Sequence, residues 1–371
     1  MIKVLSVVVM SIFSAGAQQV IPQMKHRLLL ADEGNQKIHY VNLHDTTKNW
    51  SIPVSSNRDM QLVGDNKLMV SNGSGYEEYD LLTHQQTKKV AIGSQIQSTF
   101  RISDQETYVG IDGTVPKISI IDIASGKSKG IISIQPAITL RIIRATVKRT
   151  FLVGGKDAGM VYEIDSTGKK IWEANVGGSP YQAVRMPGGN TIVSTGYGAQ
   201  IVVVDKNSKV IRKFPENPKD ASLTAVKPNF FGGFQVLENG NVVVTNWQGH
   251  GSGMGSSGVQ LLEFDSTGII VSGWKQNASY ISSLHGVIVL DNLDTKVLNT
   301  DVNGILGPIA SVHTLDQNSI NKEQSRFPGV ASYREFTVSG KALSISGSQK
   351  SSCVRVLPFF NKCIIRTTSH D

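Results

Sequence analysis

The stretch from Tyr181 to Phe214 decides the fold. It reads Tyr181-Gln182-Ala183-Val184-Arg185-Met186, then Pro187-Gly188-Gly189-Asn190, then Thr191-Ile192-Val193-Ser194. Gln200-Ile201-Val202-Val203-Val204 follows, ending at Asp205, and Val210 to Phe214 completes the unit. Each apolar run is four to six residues long, too short for a helix and bounded by Gly, Asn, Asp and Ser, so four strands joined by tight turns form one antiparallel sheet. The second strand recurs as Leu28-Leu29-Leu30, Leu68-Met69-Val70, Tyr108-Val109-Gly110, Phe151-Leu152-Val153, Ile192-Val193 and Val242-Val243-Val244. The third recurs as Ile38 to Val41, Tyr76 to Tyr79, Ile118 to Ile121, Met160 to Ile164, Ile201 to Val204 and Val259 to Phe264. Steps of about 40 to 50 residues are the spacing of a β-propeller blade.

The two ends of the repeat region predict how the ring closes. The first unit begins at its second strand, Arg27 to Ala31, and the last strand, Leu284 to Leu290, has no partners after it. Pairing the two builds one blade from both ends and leaves no free edge. The expected fold is therefore an all-β propeller of six blades, with a seventh left open by residues 295–320. A solenoid would not explain a unit short of one strand at one end and a strand to spare at the other.

Composition bounds the function classes. The chain has 371 residues, 37 Lys and Arg against 29 Asp and Glu, a net charge of +8, and 18% charged residues. The length allows a full core. No block of like charges suggests a nucleic-acid partner, and after the first twenty residues no apolar run is long enough to cross a bilayer.

Val161-Tyr162-Glu163-Ile164-Asp165-Ser166-Thr167-Gly168-Lys169-Lys170-Ile171-Trp172 resembles the strand, Asp-x-Thr-Gly-Lys turn and docking Trp of pyrroloquinoline-quinone-like propeller repeats. Echoes stand at Asp122 to Lys127, at Asp265-Ser266-Thr267-Gly268 with Trp274, and at Asn42 to Trp50. The resemblance covers roughly residues 27–290 and implies the fold. It is poor for function, because such repeats serve enzymes, assembly factors and sulfotransferase-like propellers alike. The eight blades and adjacent Cys pair of the quinone dehydrogenases are not visible, so the reading carries no cofactor.

Residues 1–17 combine Lys3, an apolar run from Val4 to Phe13 and Ala15-Gly16-Ala17, the three parts of a secretory signal. The predicted organisation is a signal at 1–17, a propeller at 18–294, a polar linker at 295–334 and a small β segment at 335–371. The expected location is the periplasm, cell surface or medium. The last segment resembles the first half of a type IX secretion sorting domain, with Asn361-Lys362 where Gly-Lys stands in that family. Its two cysteines, Cys353 and Cys363, are the only ones in the chain. They form one disulfide in an oxidising compartment or remain thiols.

Propellers bind ligands at the channel and the loops over one end of it. Aligned on their second strands, Arg101, Arg144 and Arg185 occupy corresponding first-strand positions, with Gln61 and Gln235 in two others. Converging Arg forks would make an anion site. The alternative is that they bridge neighbouring blades through ion pairs, and a one-residue register error would turn a side chain to another face. The Gly-rich loop Asn246 to Gly258, with Trp247 and His250, suggests close backbone approach to a ligand or to the next blade. His250 could act as acid, base or anion contact, and His285 could point into the same channel. Glu77, Glu78 and Asp80 read as solvent-exposed acids, and no metal-ligand spacing is present. Two functions follow: a binding module for a ligand or protein partner, or an enzyme of lyase or sulfotransferase-like type acting on an anionic small molecule or polysaccharide.

Overall fold

The computed structural model describes residues 21–135, 138–300, 307–308, 335–337, 351–356 and 362–367. The predicted signal and most of the predicted linker lie outside the described residues. Six four-stranded antiparallel sheets form a ring. Blade I holds β1 (Arg27–Asp32), β2 (Lys37–Asn42) and β3 (Trp50–Pro53). Blade II is β4 (Met60–Leu62), β5 (Lys67–Ser71), β6 (Gly75–Asp80) and β7 (Gln86–Ala91). Blade III is β8 (Ile96–Phe100), β9 (Glu106–Ile111), β10 (Lys117–Asp122) and β11 (Ser128–Ser133). Blade IV is β12 (Leu140–Ala145), β13 (Phe151–Gly155), β14 (Met160–Ile164) and β15 (Lys170–Asn175). Blade V is β16 (Gln182–Arg185), β17 (Thr191–Ser194), β18 (Ile201–Val204) and β19 (Val210–Phe214). Blade VI is β20 (Phe230–Val236), β21 (Val242–Trp247), β22 (Leu261–Phe264) and β23 (Ile270–Trp274). The last propeller strand, β24 (Leu284–Val289), pairs antiparallel with β1, setting Leu28 opposite Val289 and Leu30 opposite Val287. It supplies the inner strand of blade I, so the predicted closure and the blade number of six hold.

Each blade is covered on both faces, so β18 is Ile-Val-Val-Val without alternation and fully buried. The core lies between blades. Ile192, Val203 and Phe214 of blade V pack on Phe231, Val244 and Phe264 of blade VI. The Asp-x-Thr-Gly turn works locally and across blades. Asp165 Oδ1 accepts from the Thr167 and Lys169 amides at 2.8 and 3.1 Å, and Gly168 takes φ +86°. A Cβ on Gly168 would collide with the Ser133 carbonyl at the outer edge of blade III, so the turn needs Gly for contact as well as for φ. The outer-strand Trp residues lean on the next blade: Trp50 on His84 at 4.3 Å between centroids, and Trp172 under the Arg185 guanidinium at 4.6 Å.

Three interfaces are also tied by acid-base pairs. Glu78, Glu163 and Glu263 hold the same third-strand position in blades II, IV and VI, and receive Arg101, Arg185 and His26 from blades III, V and I. Glu77 and Glu78 are buried, against the expectation of exposure. Glu77 takes the Tyr79 hydroxyl at 2.5 Å and Lys89 at 3.0 Å.

His26 also reaches Asp291 at 2.6 Å, linking the chain before β1 to the chain after β24. Burial alone lowers its pKa, but the hydrogen bonds and charges of Glu263 and Asp291 outweigh this and raise it above 6.5. Arg27, paired with Asp291, is the other cation facing this cluster. A raised folded-state pKa gives stability that is full below the unfolded value near 6.5 and lost as pH rises through the folded value. Urea midpoints are therefore expected to fall from pH 6 to pH 9, and to do so less in His26→Gln.

Beyond β24 the chain lies against blade II. The Asp65 and Asn66 amides donate to Lys296 O and Thr295 O at 3.0 and 2.9 Å, and Asn299–Thr300 pairs with Gly307–Pro308. No seventh four-stranded sheet is present among the described residues. The C-terminal segment forms three antiparallel strands in the order 335–337, 362–367, 351–356. Its register sets Cys363 opposite Val356, and Cys353 opposite Ile365.

Candidate functional site at one mouth of the ring

All inner strands start at the same end of the ring, where the loops between second and third strands also lie. The residues that gather there come from consecutive blades. Tyr181, Phe230, His285 and Arg58 stand near the starts of the first strands of blades V, VI, I and II, and Arg141 is the second residue of that of blade IV. Tyr197, His250 and Glu33 come from the second-to-third loops of blades V, VI and I.

Aromatic stacking builds the floor. The His285 imidazole is sandwiched between Tyr181, 5.6 Å away and 12° from parallel, and Trp247, 5.4 Å away and 24° from parallel. Phe230 meets Tyr181 and Trp247 edge-on at 5.4 and 5.5 Å. Such offset and edge arrangements suit the ring quadrupoles. Tyr197, 57% exposed, stands over Phe230 at 4.8 Å. His250, with a side chain 70% exposed, stands against Trp247 at 4.7 Å. Glu33 ties the rim together: one carboxylate oxygen takes the Trp247 indole N–H at 3.3 Å and the other meets His250 Nδ1 at 2.9 Å.

The Gly-rich loop places this rim on blade I. Gly249, Gly251 and Gly253 take φ of +137°, +90° and +83°. The Gly251 and Gly249 carbonyls accept from the Ser282 and Ser283 hydroxyls at 2.8 and 2.5 Å. A Cβ on Gly255 would collide with the Ser282 carbonyl. The close approach read from the glycines is thus to the neighbouring blade. On the other side of His285, Gly232 and Gly233 sit at a bulge in β20, where a Cβ on Gly233 would come within 2.8 Å of His285 O.

His285 is 4% exposed, and burial first, then the charges of Arg58, His250 and Arg141, pushes its pKa well below 6.5. Its Nε2 faces Arg58 Nη1 at 3.5 Å. Arg can only donate, so Nε2 is the lone-pair nitrogen and the ring is neutral. Arg141 is paired with Asp112 at 3.2 Å. Arg58 has no carboxylate within ion-pair distance among the described residues, and His285 is the side chain it hydrogen-bonds there.

The predicted first-strand set does not converge. Arg101 and Arg185 lie at the far ends of their strands, on Glu78 and Glu163. Turn bonds from Met186 N to Asn190 O and from Thr146 N to Thr150 O align Arg185 with Ala145. Arg144 is thus one residue out of register and faces the channel. There it forms a bidentate pair with Asp59, at 3.0 and 2.8 Å. Gln61 and Gln235 are staples between inner strands. Gln61 gives to Arg101 O and takes from Arg101 N at 2.8 and 2.7 Å, and Gln235 does the same at Val289, at 3.2 and 2.7 Å. Gln182 repeats this on Phe234 at 3.1 and 3.2 Å. Trp247, His250 and His285 do come together, with Trp247 as buried floor. Arg58, Glu33, Tyr181 and Tyr197 were missed. They lie outside the strand periodicity, and the signal that could have found Arg58 is its place just before a first strand, like Tyr181.

No protein-family model matches the chain, and no curated protein does. Among solved structures, the chain is similar to a protein of unknown function from Bacteroides caccae, at 20% identity and TM-score 0.61. The match covers 71% of this chain and 98% of that one. It is also similar to a streptogramin B lyase, at 10% identity and TM-score 0.50, over 72% of this chain and 85% of that one. At these identities the likeness is one of fold. No helix among the described residues is long and apolar enough to cross a membrane, and no cluster of metal-ligating side chains occurs among them.

Proposed function

We propose that the chain is an exported propeller that binds a small anionic ligand, an acidic sugar or other organic acid, at the mouth ringed by Arg58, Tyr197, Trp247 and His250. One observation carries the reading: among the arginines of the inner strands and the mouth, Arg58 alone stands without a carboxylate partner, and it does so beside an aromatic bed with an exposed tyrosine and histidine. An uncompensated guanidinium in a partly desolvated setting favours an anion, and the aromatic faces suit the apolar side of a ring.

The test is a thermal-shift screen of the purified protein against organic acids and acidic oligosaccharides. A ligand at a hundred times its Kd adds about 2.7 kcal/mol to native stability. The shift is expected to vanish in Arg58→Ala and Tyr197→Ala. It is expected to survive in Arg101→Ala and Arg185→Ala, which instead melt lower because an interface pair is lost. Survival of the shift in Arg58→Ala would move the site elsewhere.

A second reading, an enzyme acting on the same ligand class, is favoured by the Glu33–His250 pair. Glu33 fixes Nδ1 and leaves Nε2 without a protein partner among the described residues, the arrangement of an oriented general base. On that reading His250→Ala keeps binding and abolishes turnover of the hit from the screen. Unchanged ligand on prolonged incubation with the native protein rejects it.

A further inference from the structure

We propose that the mouth is one end of a longer site, and that a cleft between blades III and IV takes a neutral sugar unit of an oligosaccharide whose acidic unit sits at the mouth. The inference rests on the mouth reading for the acidic unit and on separate residues for the neutral one.

The cleft opens at the same end of the ring as the mouth. Gly113 and Thr114 come from the second-to-third loop of blade III, Asp157 and Ala158 from that of blade IV, and Ile138 and Thr139 from the approach to β12. Its volume is ≈ 370 Å³, inside the range of about 300–1,000 Å³ usual for small-molecule sites and room for a sugar ring. The Asp112–Arg141 pair links it to the mouth. Asp112, next to Gly113, holds the Leu140 amide at 2.9 Å and Arg141 at 3.2 Å, while the Arg141 charge helps to depress the His285 pKa.

The lining selects the guest. Asp157 is exposed, has no cation within ion-pair distance among the described residues, and takes the Thr139 hydroxyl on Oδ2. Its negative charge disfavours a second acid there. The Thr114 and Asp157 amides have no hydrogen-bond partner among the described residues. They call for an acceptor, whereas the carboxylate calls for a donor. An ammonium group only donates; a sugar hydroxyl does both, so one ring edge answers the whole set. Ile138 and Ala158 supply the apolar wall that suits the face of the ring.

The experiment measures Kd of the full chain by calorimetry for glucuronate, for cello-oligosaccharides carrying one glucuronate at either end, and for all-glucuronate oligomers of the same linkage and length. Neutral units added to the glucuronate are expected to tighten binding about tenfold, the scale of hydrogen bonds to a charged group, and extra acidic units are not. Asp157→Ala is expected to lose that gain and to keep the affinity for glucuronate alone. Cello-oligosaccharides without an acid test the cleft by itself: they should shift the amide resonances of Thr114, Asp157 and Ala158 in the native protein and leave the corresponding amides of Asp157→Ala unmoved. No gain with neutral units together with no such shifts overturns the proposal, as does a gain that survives in Asp157→Ala. Failure of the mouth reading looks different: glucuronate does not bind, while the cleft shifts persist and support the neutral subsite.

Discussion

Asp59→Ala is expected to lower unfolding free energy by about 3–5 kcal/mol, because it breaks the buried Asp59–Arg144 pair and strips Ser98 Oγ and the Thr99 and Met60 amides of their shared acceptor. The carboxylate reaches across the channel from blade II to blade IV and also holds Ser98 and Thr99 of blade III, so three blades lose a shared contact. Asp59→Asn, which retains hydrogen-bond acceptance without the charge, should cost less. Asp59→Ala with Arg144→Met should recover much of the loss, since replacing both members of a buried pair is far cheaper than removing one. Urea unfolding with unchanged slope measures this directly. A drop of under about 1 kcal/mol for Asp59→Ala would mean that the pair is solvated and the channel open.

These contacts show how much the sequence carries. Blade number and closure were legible because strand period and turn chemistry are local: Leu284 to Leu290 could be seen to lack partners, and Arg27 to Ala31 to lack an inner strand. The floor of the mouth was half legible. Trp247, His250 and His285 stand out as rare residue types among glycines or at a strand start. Only Arg144 was misaligned, by one residue: the register sets Ala145 opposite Phe151 as Arg185 stands opposite Thr191, so Arg144 takes the place of Val184. In a period-two element that shift changes the face. Glu78 looked like a surface acid because its partner Arg101, 23 residues away, comes from the next blade. No short-range pattern reports such a pair. Glu33 is further still, 217 residues from His250 in sequence, and the two meet only because the ring closes.

That closure makes Asp32 the second critical acid. Asp32→Ala is expected to cost about 3–5 kcal/mol, from several buried donors left unmatched at about 1–3 kcal/mol each. Asp32 is fully buried at the end of β1 and takes the Ser282 and Ser283 amides at 2.8 and 2.9 Å, the Asn35 amide at 3.2 Å and His39 Nε2 at 3.3 Å. Burial alone raises its pKa, but the His39 contact and these amides outweigh that and hold it below 3.8. For a depressed carboxylate the stability is present above the unfolded value and lost as pH falls through the folded one, so this clasp survives mild acid. The variant should also do something that Asp59→Ala does not. Ser282 and Ser283 anchor the Gly249 and Gly251 carbonyls, so freeing them loosens the loop that carries His250. Faster hydrogen exchange at Gly249 to Gly253 and loss of the mouth ligand's thermal shift are expected in Asp32→Ala. Both should stay at native levels in Asp59→Ala under conditions where that variant remains folded. Equal exchange in the two variants would mean that the loop is held by its own turns rather than by the closing strand, and that the mouth does not depend on the clasp.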